Sequence, residues 1–274
     1  MSNLYGTVGY CFLNSSNIPN FILVLSDIHS KLPYCSDKID LAKWFDKNMY
    51  KANILLEEVP RDNMELKELW ETSEHTQDLK NFFLTNSTIV HAIDIRLYLI
   101  PFSFSLVLLI NDTSTTLESY LKLLDTFFKL ELEICCKTLK NMYKNENLLN
   151  SKLGDHFFSI KKMYNNYLES NKLFMKITIK ELVTGNILED INEILDSIME
   201  WYCIAKMYEL NDNKNIIIHT GVFHSERIIQ NLITYYNYKI QKMDGINNME
   251  YIENKEIITG CINLPKNIEI QLFN

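Results

Sequence analysis

Two apolar runs that each break into a histidine constrain this chain more than any other feature. Phe21-Ile22-Leu23-Val24-Leu25-Ser26-Asp27-Ile28-His29 lies near the start, and Asn215-Ile216-Ile217-Ile218-His219-Thr220-Gly221-Val222-Phe223-His224 near the end. Each reads as a short strand, apolar on both faces, that turns as soon as polar side chains begin. Strands of that kind belong to sheets covered by helices on either side. In a parallel sheet the carboxyl ends of the strands share an edge, and open α/β folds carry their reactive groups there. If both runs are strands of one such sheet, His29 and His224 meet at that edge.

The intervening pattern supports a parallel sheet. The first strand, about 21–26, leads to a helix predicted from roughly Asp37 to Met49, with Ser36 as its cap. A second strand, Asn53 to Glu58, follows about thirty residues after the first, the spacing of a βαβ unit. A helical stretch over 62–85 precedes a third strand, Thr88 to Asp94. The period then becomes helical. Thr115-Thr116-Leu117-Glu118 forms a capping box, and Leu117, Tyr120, Leu121, Leu124, Phe127 and Phe128 recur at helical spacing. An Asn/Lys-rich piece, 141–152, reads as a loop. A second long stripe runs from Ile187 through Ile191, Leu195 and Ile198 to Tyr202, with Gly185 marking the break before it. The late strand, Asn215 to His219, is followed by a helix from Ser225 to about Tyr236. Tyr238–Lys242 and Glu256–Leu264 read as edge strands. The expectation is one α/β domain over 1–274: a largely parallel central sheet flanked by helices, with a helical insertion at about 114–210 before the last core strand. No internal repeat is present.

Composition narrows the function classes. With 274 residues, 47% of them apolar, the chain can bury a large core. A net charge of -8 with no basic stripe argues against a general nucleic-acid surface. The six cysteines show no CxxC pair, so they read as buried thiols of a reducing compartment, not as a zinc knuckle or a disulfide frame. The first residues lack a basic start followed by an apolar core, so export is not expected. The most apolar run, Leu97 to Ile110, falls short of the about 20 residues of a membrane span and is cut by Pro101. It reads as a core helix, with no membrane partner. An intracellular protein is expected, its oligomeric state and substrate open.

The candidate chemistry gathers at the strand ends. Asp27 and His29 close the first strand. Glu57 and Glu58 close the second, and alternation lets only one of them face a site. Asp94 and Arg96 close the third. Gly221 permits a tight passage from the last strand into a helix, whose amino end offers N–H donors to an anionic oxygen. Arginine is scarce: Arg61, Arg96 and Arg227 are the only three, and each sits beside one of these motifs. A guanidinium fork is not replaceable by lysine, which would explain its retention in an otherwise lysine-, asparagine- and isoleucine-rich chain of AT-rich character. Two histidines, His29 and His224, with one or two carboxylates suit a zinc or manganese ion with an open position for water. Such an ion brings the water's pKa toward about 7. A second carboxylate can act as general base and an arginine can steady an oxyanion. His75 and His156, in polar helical contexts, read as surface residues. His91 and His219, inside strands, read as core or support.

Taken in order, Ser26-Asp27-Ile28-His29, Leu56-Glu57-Glu58, Asp94-Ile95-Arg96 and Gly221-Val222-Phe223-His224 resemble the motifs of the TraB/TIKI/ChaN/erythromycin-esterase-like superfamily. The likeness is strongest to members from large DNA viruses, which would place the protein in host cytoplasm or virion. Relatives of that kind include metal-dependent proteases, esterases and haem-binding lipoproteins, so the resemblance implies a metal-dependent hydrolase of amide or ester bonds. It assigns Asp27, Glu58 (or Glu57) and Arg96 as catalytic and His29 and His224 as metal ligands. Ser26 departs from the family pattern, standing where the first glycine usually is. Two alternatives remain. Asp27-Ile28-His29 resembles the opening of calcineurin-like metallophosphoesterases, although no G-D-x-x-D or G-N-H-[ED] follows. A catalytically inactive viral interaction protein on the same fold is the other.

Overall fold

A computed structural model describes residues 2–15, 20–28, 32–33, 35–59, 74–100, 114–129, 151–182, 186–210, 214–254 and 258–273. In chain order its principal elements are β1 (Ser2–Tyr5), β2 (Gly9–Asn14), β3 (Ile22–Asp27), β4 (Ile39–Asp40), α1 (Leu41–Asn48), β5 (Ala52–Leu56), α2 (Glu74–Asn86) and β6 (His91–Ala92). Then come α3 (Leu117–Tyr120), α4 (Lys122–Phe128), α5 (Lys152–Ser170), α6 (Ile179–Leu182) and α7 (Ile187–Glu209). The chain closes with β7 (Asn215–Gly221), α8 (Val222–Tyr236), β8 (Lys239–Gly245), α9 (Met249–Asn254), β9 (Cys261–Leu264) and α10 (Lys266–Phe273).

The chain divides into two compact units: Met1–Glu58 with Trp70–Ile93 and Met207–Asn274, and Val59–Leu69 with Asp94–Lys206. The first holds a six-stranded sheet in the order β6-β5-β7-β3-β2-β8. β6, β5, β7 and β3 run parallel, whereas β2 is antiparallel to β3 and β8 to β2. The fold is thus mixed α/β with a mostly parallel sheet flanked by helices, as the apolar runs require. β3 and β7, at opposite ends of the sequence, are direct neighbours. Their residues Leu23, Leu25 and Ile217 are fully buried in one core with Ile54, Trp44, Phe45 and Phe83. Burying each such side chain contributes about 1.5–3 kcal/mol.

Several expected boundaries move, each for a non-local reason. The first helix starts at Leu41, not near Asp37, because Asp37 takes a left-handed φ of 52° and Ile39–Asp40 pair with β1. The third strand shrinks to His91–Ala92, since Ile89 and Val90 both donate to the Asn86 carbonyl in a turn. β1 and β2, which the sequence does not announce, find partners from the far end of the chain: β9 joins β1 in a three-stranded sheet with β4, and β8 covers β2. Gly9 is needed at that crossing, because a β-carbon there would lie 2.1 Å from the Ile246 carbonyl oxygen.

The small sheet also corrects the reading of the cysteines. Cys35 and Cys261 form a disulfide across 226 residues, their Cα atoms 6.4 Å apart and within bridging range. Pairing of β1 with both β4 and β9 brings the two positions together, which spacing alone does not reveal. Cys11 and Cys203 are buried free thiols, and burial pushes the Cys11 thiol up to about 12.

The second unit is helical. Thr116, one residue later than the predicted box, caps α3 by accepting from the Ser119 N–H, and Ser151 caps α5. Leu153, His156, Phe157, Ile160, Tyr164 and Tyr167 form the buried stripe of α5. Trp201 of α7 packs on Phe127 and Phe157, and its indole N–H donates to the Leu153 carbonyl at 2.9 Å. Of the apolar run Leu97–Ile110, Leu99 and Ile100 are buried and 101–110 lie outside the described residues, as does most of the expected loop 141–152. Among the described residues no helix is long and apolar enough to cross a membrane.

Candidate functional site

Strand register brings the candidate groups of the first unit to one edge. Asp27 lies opposite Gly221 in the β3–β7 pair, and Leu56 opposite His219 in the β5–β7 pair. The Glu57 N–H continues the ladder one residue further, donating to the His219 carbonyl at 3.0 Å. Three adjacent parallel strands therefore finish together with Asp27, Glu57 and Gly221. The chain passes from β7 into α8 without a loop, with Gly221 as the helix cap. The expected start at Ser225 is corrected: the Ser225 hydroxyl is buried, 2.8 Å from Thr220 Oγ1, and donates to the Thr220 carbonyl. His224 consequently stands in the first turn of a helix rather than on a connecting turn.

Glu57 organises this edge. Its Oε2 accepts from the Gly221 N–H at 2.7 Å, while its Oε1 lies 3.6 Å from His224 Nε2. The side chains are 11% and 8% exposed, so water screens the pair little. A carboxylate at the amino end of a fifteen-residue helix is also stabilised by the helix dipole. Of the two glutamates, Glu57 is the one aimed at His224; after it the backbone folds tightly, with the Glu58 N–H donating to the Leu56 carbonyl at 2.7 Å. The His224 ring meets the Phe223 ring edge-on, and the Arg227 guanidinium lies over Phe223 at 5.1 Å.

Asp27 is 1% exposed, and its Oδ1 accepts the Ile28 N–H at 2.7 Å. Ser26 is well accommodated. Its hydroxyl donates to Asn247 Oδ1 at 3.3 Å, and its carbonyl accepts from the Val8 N–H and the Thr7 hydroxyl, both at 2.8 Å. His219 is buried against Phe45, with Nε2 3.4 Å from the Gly6 carbonyl oxygen. His29, Arg61 and the His75 side chain lie outside the described residues.

Asp94 and Arg96 belong to the second unit, where they form a buried ion cluster. Arg96 donates through Nε and Nη2 to both oxygens of Asp94, at 2.8 and 2.9 Å, and through Nη1 to Asp196 Oδ1 at 2.7 Å. Its fork is thus shared by two carboxylates, a short charge-assisted arrangement. Asp196 was not visible as a partner, since it sits beside the apolar stripe of α7 with nothing local to mark it. His156, expected at the surface, is buried on the α5 stripe, and desolvation lowers its pKa to about 4.

Among the described residues no group of three or more histidine, cysteine, aspartate or glutamate side chains is placed to hold a metal ion. The pair Glu57–His224 has the chemistry of a carboxylate that orients a ligating or proton-transferring histidine. Comparison of the chain with protein-family models, with curated proteins and with solved structures found no match.

Proposed function

We propose that the edge formed by β3, β5 and β7 is the site of a hydrolase acting on amide or ester bonds, of the kind the TraB/TIKI/ChaN/erythromycin-esterase-like motifs imply. The observation that carries this reading is the Glu57 carboxylate, divided between the cap of α8 and the ring of His224. A carboxylate so placed fixes the ring's orientation and steadies the imidazolium that forms when the histidine takes a proton. Nε2 is the ring nitrogen nearest Glu57. The 3.6 Å separation tightens to a hydrogen bond as substrate binds, as catalytic contacts commonly do. Asp27, opposite Gly221, supplies a second carboxylate at the same edge.

A zinc or manganese ion would take His224 and His29 and would supply an activated water and a polarised carbonyl. With that ion bound, Glu57 would orient His224 as a ligand rather than as a base, and the acid–base role of the pair belongs to the ion-free site. Arg96, already shared by Asp94 and Asp196, is assigned here to holding the helical unit together rather than to the reaction.

The experiment is a screen of the purified protein against amide, ester and phosphoester substrates, with metal content measured alongside. Amide or ester turnover that disappears in both His29→Ala and His224→Ala supports the reading, and loss of zinc or manganese in the same variants supports the ion. Full turnover in both variants refutes it, and cleavage of phosphoesters alone would favour the metallophosphoesterase reading.

A further inference from the structure

Leu32 and Cys35, between β3 and β4, are held quite differently from the strands around them. Leu32 is buried with Tyr5, Val8, Val222 and Ile246 in a small cluster, with Ile28, Cys35 and Cys261 packed against it. That cluster is separate from the large core under the sheet. The Tyr5 hydroxyl donates to the Leu32 carbonyl at 3.3 Å. Gly260 lets Leu32 and Pro33 come close, since a β-carbon there would be 2.6 Å from Leu32 Cβ and 2.8 Å from the Pro33 carbonyl oxygen. The disulfide Cys35–Cys261 closes this arrangement, and both of its cysteines are partly exposed, in contrast to the buried thiols of Cys11 and Cys203. The cluster also includes Val222, the first residue of α8, two positions before His224.

We propose that Cys35–Cys261 is a reversible thiol–disulfide latch that fixes Leu32 and Cys35 against β1, β9 and the first turn of α8. A dithiol opens it. One thiolate of the reagent attacks a protein sulfur to give a mixed disulfide and release the other cysteine as thiolate. The second thiol of the reagent then displaces the remaining cysteine. The protein disulfide gains two electrons and two protons, and the dithiol is oxidised to its cyclic disulfide. Once the bond is open, Leu32 and Cys35 are held by the small cluster and not by the large core under the sheet, which gives them a lower local stability than the strands. The sheet, carried by its own large core, keeps its structure. The latch stands without the hydrolase reading.

The test uses the intact protein, oxidised and then treated with dithiothreitol without denaturant. Alkylation and mass spectrometry count the thiols, and residue-resolved hydrogen exchange reads the backbone. The expected result is new alkylation at Cys35 and Cys261 only. At least tenfold faster exchange should follow at Ile28, Leu32 and Cys35, with β3, β5 and β7 unchanged, and oxidised glutathione should restore the original rates. A bond that resists the dithiol until denaturant is added overturns the latch. So does exchange that is unaltered at those residues, or accelerated equally through the sheet. The double variant with Cys35→Ser and Cys261→Ser should fold and reproduce the reduced protein; failure to fold would make the bond structural and end the proposal.

Discussion

Glu57, just past β5, and Asp94, just past β6, are carboxylates used in opposite ways. After β5, Glu57 faces a histidine and a backbone N–H. After β6, Asp94 is clamped by a guanidinium that also binds Asp196. Arginine keeps its proton at any accessible pH, so the cation of the second cluster does not titrate. A histidine exchanges its proton near neutrality, so the first pair can do chemistry. Position at a strand end does not distinguish a site from a brace. The partner does.

The largest effect that sharpens this contrast is on stability. Replacing Arg96 by alanine leaves Asp94 and Asp196 without their shared cation, and a buried pair broken from one side loses about 3–5 kcal/mol. Denaturant unfolding of Arg96→Ala should show a loss of that size. A loss within 1 kcal/mol would mean that the cluster is not the brace described.

The second concerns His156, a buried histidine of the helical unit. His156 has a folded pKa of about 4 against an ordinary value of 6.5. Above pH 6.5 it is neutral in both states and its full contribution is present. As pH falls from 6.5 toward 4, the unfolded chain takes up a proton that the folded one refuses. Stability then drops by roughly 3 kcal/mol over that window and levels off below it. Unfolding free energies measured between pH 4 and 7 should fall less steeply in His156→Leu than in the parent protein. Identical slopes would place His156 in water.

The smallest effect is again at Glu57. Glutamine keeps an oxygen for the Gly221 N–H, so Glu57→Gln should change the unfolding free energy by no more than about 1 kcal/mol. A loss as large as that of Arg96→Ala would make Glu57 a brace too, and the contrast would collapse.

The sheet was legible where the sequence is apolar on both faces. The runs at 21–26, 53–58 and 215–219 are β3, β5 and β7, and their parallel pairing follows from the helical stretches between them. What was hidden depends on distant partners. Nothing near Gly9–Asn14 announces a strand whose neighbour is Lys239–Gly245. Ser225 looks like the start of a helix until the Glu57 carboxylate, from another strand, takes the Gly221 N–H and α8 starts three residues earlier. Alternation left Glu57 and Glu58 equivalent, and only the fold turned Glu57 toward His224. His156 shows the opposite error. Its place between Leu153 and Ile160 on a helical stripe was readable, but its polar neighbours hid the stripe.

The measurement that bears most directly on the Glu57–His224 pair is a mutant cycle on turnover of whichever amide or ester substrate the screen finds. Glu57→Gln and His224→Ala should each lower kcat by about 100-fold or more, the scale of a positioned acid–base group. Because the two act as a unit, the double variant should be no slower than the slower single variant. Full activity in either single variant, or losses that multiply in the double, would contradict the account.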